Sequence, residues 1–170
     1  MEGGLGNQLF QYALYRQLQF MGRTVKMDVT TEYGREYDRQ QMLWAFDVHY
    51  EEATQEEINR LTDGFMDLPS RIRRKLTGRR TKKYAEADSN FDPQILLKTP
   101  VYLTGYFQSE KYFKDVEGIL HTELRFSDRI YDGISEAFAD QIRNYQKQIR
   151  ETESVSLHVR RGDYLEHPEI

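Results

Sequence analysis

A glycine-dense turn, Gly3-Gly4-Leu5-Gly6, runs straight into an amphipathic segment and then into a short alternating one, and that order constrains the chain more than any other feature. Leu9, Phe10, Ala13, Leu14 and Leu18 recur on one stripe of a helix of 3.6-residue period. Asn7 reads as the N-cap of that helix and Gly22 as its stop. Thr24-Val25-Lys26-Met27-Asp28 then alternates like a half-buried strand. Turn, helix and strand in this sequence make a βα unit whose first strand is almost missing.

The rest of the chain keeps alternating. Residues 30–50 read as irregular and polar with interspersed aromatics. Thr54-Gln55-Glu56-Glu57 is a capping box that opens a short helix to Leu61, and Pro69 opens another. Asp92-Pro93 starts a helix through Leu97, which Thr99-Pro100 ends. Val101-Tyr102-Leu103-Thr104-Gly105-Tyr106 reads as a strand. Ser109 reads as the cap of a helix carrying Tyr112 and Phe113, with Ile119, Leu120 and Leu124 continuing the pattern. A longer helix is expected from Ser127 or Asp128 through Ile149, followed by a buried strand, Ser154-Val155-Ser156-Leu157-His158-Val159. Parallel strands need crossover helices, so the alternation predicts an α/β sheet.

Bulk composition narrows function less than it narrows fold. The 170 residues can bury a real core, and the 13% aromatic content offsets a modest 38% hydrophobic fraction. The absence of cysteine excludes a thiol nucleophile and a cysteine-held metal, and it fits a cytoplasmic location. No apolar run approaches the roughly 20 residues that cross a bilayer, and no signal peptide is evident. A net charge of −4 gives no global bias toward nucleic acid or anionic membrane, and no nucleic-acid partner is expected.

The chemistry concentrates at His158-Val159-Arg160-Arg161-Gly162-Asp163-Tyr164, where an apolar strand runs into two arginines, a glycine and an aspartate. Open α/β sheets bind ligands at the carboxyl ends of their strands. The arginine fork suits phosphate oxygens. His158 and Arg160 share a strand face, so Arg160 is the phosphate candidate and Arg161 the partner of Asp163 or another carboxylate. A charged turn with paired or solvated arginines is the competing reading, and His158 also fits a hydrogen-bonded core histidine.

His158-Val159-Arg160-Arg161-Gly162-Asp163 resembles the HxRRxD motif of the α1,2-fucosyltransferases (glycosyltransferase family 11). Gly3-Gly4-Leu5-Gly6-Asn7-Gln8-Leu9-Phe10-Gln11-Tyr12-Ala13 resembles the opening segment of that family. Gly105-Tyr106-Phe107-Gln108-Ser109-Glu110-Lys111-Tyr112-Phe113 resembles a segment of its bacterial members. The resemblance implies a GT-B architecture: a Rossmann-like, acceptor-side N-terminal domain over residues 1–153 and the start of a donor-binding domain at 154–170, the second domain being largely missing. It implies inverting, metal-independent transfer of L-fucose from GDP-fucose to the 2-hydroxyl of a galactoside. No cofactor is implied beyond that donor substrate, and the piece alone is expected to be inactive.

Under this resemblance the donor-side set is His158, Arg160 and Arg161, with Arg160 on the β-phosphate and Arg160 and Asp163 as the catalytic pair. Asp163 either orients the arginines or takes the acceptor proton. Asn7 and Gln8 are the acceptor-side candidates, set against a plain N-cap for Asn7 and a surface helix for Gln8. Gln11 is a lesser candidate with the same surface reading. Tyr106, Phe107, Tyr112 and Phe113 either stack on sugars or pack in the core. His49, His121, His158 and His167 lack ligand spacing, so no metal site is expected. Residues 71–83 hold eight Arg and Lys and no acid. They read first as a solvated basic face, second as a peripheral contact with anionic lipid or a lipid-linked glycan, and third as a nucleic-acid contact, for which the negative overall charge and the lack of a motif speak poorly. The competing functions are a related glycosyltransferase with another nucleotide sugar, and a non-catalytic module binding through 71–83.

Overall fold

The computed structural model describes residues 1–30 and 41–157. They form two compact units, one spanning Met1–Ile130 and a second beginning at Tyr131. The first unit is built around helix α1 (Leu5–Phe20). Tyr12, Ala13 and Tyr15 on that helix pack with Met27, Leu43, Val116 and Leu120. Leu14 and Leu18 pack with Ile95, Phe107 and Tyr112. One helix thus joins two apolar clusters, which is why so much of its circumference is buried.

The helix does not begin at Asn7. Gly4 is its N-cap residue, in extended backbone and without a side-chain cap bond, so Leu5 and Gly6 are already helical and Asn7 lies inside the first turn. The other end is as expected. Gly22 takes φ +77 and lets Arg23 N–H reach Leu18 O at 3.1 Å, closing the last turn.

Helix α2 (Gln55–Thr62) carries the predicted capping box: Glu57 N–H donates to Thr54 Oγ1 at 3.3 Å and Thr54 N–H to Glu57 Oε2 at 2.8 Å. Helix α3 (Leu68–Thr77) is capped by Asp67, with Pro69 in its first turn. Strand β1 (Lys83–Ala85) leads to the short helix α4 (Gln94–Leu97) and strand β2 (Tyr102–Thr104). Asp92 accepts from Gln94 N–H at 2.9 Å at the start of α4. Ser109 precedes a 3₁₀ turn (Glu110–Tyr112) without capping it, a second 3₁₀ turn (Lys114–Val116) comes next, and α5 (Glu117–Glu123) follows.

The sheet is smaller than the sequence led us to expect. Among the described residues, β1 and β2 form a two-stranded parallel sheet, with Lys83 opposite Tyr102 and Ala85 opposite Thr104. The segment 24–28 contributes one parallel bridge, Met27 to Glu52. The molecule is therefore mostly helical and mixed α/β at most, without a Rossmann sheet among these residues. The cause is pairing: a strand becomes part of a ladder only where a neighbour meets at least one of its hydrogen-bonding edges.

The expected helix from Ser127 through Ile149 is broken. A 3₁₀ turn, Asp128–Tyr131, precedes Gly133 at φ +77. Helix α6 (Glu136–Glu151) then begins behind Ser135, which accepts from Phe138 N–H. Its only buried residue is Ala139. Residues 154–157 pair with no strand among the described residues, and Val155 and Leu157 are 95% and 87% exposed rather than buried.

Candidate functional site: two turns at one end of α1

The glycine turn before α1 and the turn after β2 meet. Gln108 Nε2 donates to Asn7 Oδ1 at 2.6 Å across 101 residues of sequence. Because Gly4 occupies the cap position, the Asn7 side chain is spared capping and folds over Gly3, where an added Cβ would come within 2.3 Å of its amide nitrogen. Gly3, at φ +77, is thus required by both conformation and space.

Gln8 is wholly buried, not on a surface helix. Its Nε2 donates to Gly3 O at 3.0 Å, and its Oε1 accepts from Met42 N–H at 2.7 Å. It holds the turn from beneath. Gln11 pairs reciprocally with the Glu2 backbone, donating to its carbonyl at 2.8 Å and accepting from its N–H at 3.0 Å. Three side chains of α1, those of Asn7, Gln8 and Gln11, therefore fix or cover residues 2 and 3.

The second turn is held by one carboxylate. Glu86 Oε2 accepts from Tyr106 N–H at 2.8 Å and from Phe107 N–H at 2.9 Å. Gly105 has φ +151, and a Cβ there would lie 2.5 Å from the Glu86 Cβ. Phe107 takes φ 55 and turns its ring into the core, edge-on to Tyr112. Phe107 and Tyr112 are core residues, Phe113 packs against both clusters, and Tyr106 alone of the four aromatics is exposed. Glu86 Oε1 is buried with no hydrogen-bond partner among the described residues.

A cavity of about 470 Å³ lies behind these turns, lined by residues 25–28 and 101–105 together with Met1, Glu2 and Gln11. Its two long walls are strand edges. Tyr102 and Thr104 turn their backbone groups toward β1, so Val101, Leu103 and Gly105 turn theirs the other way. Met27 bonds Glu51 O and Ala53 N–H, so Lys26 and Asp28 also present their backbone to the cavity side. At one end the Met1 ammonium donates to Asp28 O.

His158, Arg160, Arg161 and Asp163 lie outside the described residues, as does the greater part of the expected donor-domain start at 154–170. Among the described residues no group of three or more His, Asp or Glu is placed to hold a metal ion, and no helix is long and apolar enough to cross a membrane. Sequence reasoning missed Glu86 altogether and gave Gln108, though it lies in a segment singled out by resemblance, no role of its own: what each does depends on a turn it meets only in the fold. Comparison with protein-family models, with curated proteins and with solved structures finds no match.

Proposed function

We propose that the chain is the acceptor-side portion of an inverting α1,2-fucosyltransferase that uses GDP-fucose. The observation that carries this reading is the Asn7–Gln108 hydrogen bond at 2.6 Å. It joins two segments singled out by their resemblance to the same enzyme family, at one edge of the fold and on glycine-rich turns. Scattered chance resemblances have no reason to meet. Exposed backbone and amide side chains at such turns suit sugar hydroxyls, which both donate and accept.

In the reaction the 2-hydroxyl oxygen of a galactoside attacks the anomeric carbon of fucose from the face opposite GDP. The bond from that carbon to the phosphate oxygen breaks, GDP leaves with the electron pair, and the hydroxyl proton passes to a base or to solvent. Arg160 holds the β-phosphate and stabilises the charge that grows on it. Asp163 orients the arginines or receives the proton.

The test is GDP release from GDP-fucose by an enzyme containing residues 1–170 and a donor domain, with and without lactose or N-acetyllactosamine. Acceptor-dependent release is expected, and Arg160→Ala should lower it at least about 100-fold with an unchanged circular dichroism spectrum. Arg160→Lys should also be poor, because a point charge does not replace the fork. Normal turnover by Arg160→Ala would remove the phosphate assignment.

A further inference from the structure

Helix α3 has no buried residue. Leu68, Ile72 and Leu76 are 66%, 51% and 78% exposed. A spacing of four residues advances only about 40° around a helix, so these side chains make one apolar row. Arg71 and Lys75 fall directly beside that row in the helical projection, and both are exposed. The chain beyond the helix adds Arg79, Arg80, Lys82 and Lys83, all exposed and with no acid among them. Met66, 80% exposed, extends the apolar surface just ahead of the helix.

The helix is fixed along a different line. Arg74 Nη1 donates to Asp63 O at 3.0 Å and to Phe65 O at 2.7 Å. Arg73 pairs with the Asp63 carboxylate, which also accepts from Arg80 N–H at 2.9 Å. Asp63 is buried and sits at the end of α2. The Arg80 amide, and after it Arg73, outweigh burial and hold its carboxyl below the usual range. The arginines that anchor the helix are thus distinct from Arg71 and Lys75, which do not take part in the anchor.

We propose that α3 and residues 79–83 form a peripheral membrane-binding surface for anionic lipid. The apolar row enters the headgroup boundary while Arg71, Lys75 and the following basic run meet lipid phosphates. The charge pattern selects this occupant: an apolar row flanked by Arg71 and Lys75, with the exposed acid Asp67 engaged as the helix N-cap at its start, matches an anionic interface, which supplies both hydrocarbon and phosphate. The surface brings an enzyme of any acceptor preference to substrates at a lipid interface, and it stands whether or not the fucosyltransferase reading holds.

The test is flotation of the 170-residue chain with vesicles of phosphatidylcholine alone and of phosphatidylcholine mixed with phosphatidylglycerol. The expected result is at least about ten-fold stronger partition onto the anionic vesicles, weakened by raising salt. Arg71→Glu with Lys75→Glu should abolish that preference. Ile72→Ser with Leu76→Ser should weaken binding at least about five-fold at constant charge. All four positions are exposed, so circular dichroism of the variants should match the parent. Equal partition onto both vesicle types would overturn the proposal. So would anionic binding that ignores the loss of the apolar row, or a row that instead mediates self-association on gel filtration without vesicle binding.

Discussion

Gln8 and Gly105 are the two positions where a small change should report most on the paired turns. Gln8 is fully buried, with its amide donating to Gly3 O in the turn and accepting from Met42 N–H of a distant segment. Gln8→Ala leaves the Met42 N–H and Gly3 carbonyl short of partners, and orphaned buried groups cost about 1–3 kcal/mol. Urea unfolding should show that loss. At Gly105, alanine faces both the φ of +151 and the Glu86 side chain, where the nearest approach is 2.5 Å. Gly105→Ala should cost about 1–3 kcal/mol and shift the Gln108 and Asn7 side-chain amide resonances together. An Asn7 amide that does not respond would mean the turns are not coupled.

Helix α2 shows how much an element owes to its first turn. The Glu57 carboxyl is pulled down to about 2, first by Lys26, whose ammonium lies 2.7 Å away, and then by the Thr54 backbone and hydroxyl. A depressed carboxyl stabilises the fold above its unfolded pKa of about 4.3 and loses that contribution as pH falls toward 2. Stability should therefore decline from pH 5 to pH 2 with a component that Glu57→Gln removes, measured by thermal melts across that range. A slope identical in parent and variant would show that the cap does not titrate with folding. The same locality makes α2 and α3 legible in the amino-acid order. Thr54, Glu57 and Asp67 act on amides three residues away and Pro69 presets the backbone of its own turn, a distance over which the chain has little choice. Gly133 carries an equally local signal, and the continuous apolar spacing through Ile130, Ile134 and Phe138 masks it.

For the first unit, the cavity lined by residues 25–28 and 101–105 is the main concave feature among the described residues. The Met1 ammonium already bonds Asp28 O at the carboxyl end of residues 25–28. A strand placed in the cavity ahead of Met1 would connect through α1 to residues 25–28 by the crossover that adjacent parallel strands require. It would also join the Met27–Glu52 bridge and the β1–β2 pair into one sheet. An extension of about five alternating valine and threonine residues ahead of Met1, a common strand length, should raise the melting temperature over a glycine-serine extension. It should also slow amide exchange at Lys26 and Leu103. Equal melting temperatures for the two extensions would show that the cavity does not take a strand.

Helix caps, the glycine stop at Gly22 and the three resembling segments can all be read along the chain, because each rests on neighbours in sequence. Which strands pair, why Gln8 is buried, and that Asn7 meets Gln108 depend on groups separated by tens of residues, up to 101 for that last pair. Periodicity marks a segment as able to be a strand, but only a partner on its edge makes it one. That is why the alternation at 24–28 survives as a single bridge. A polar side chain near a glycine turn likewise has the same sequence signature whether it faces a ligand or braces the turn from below. Only packing separates Asn7, bound across the chain by Gln108, from Gln8 beneath it.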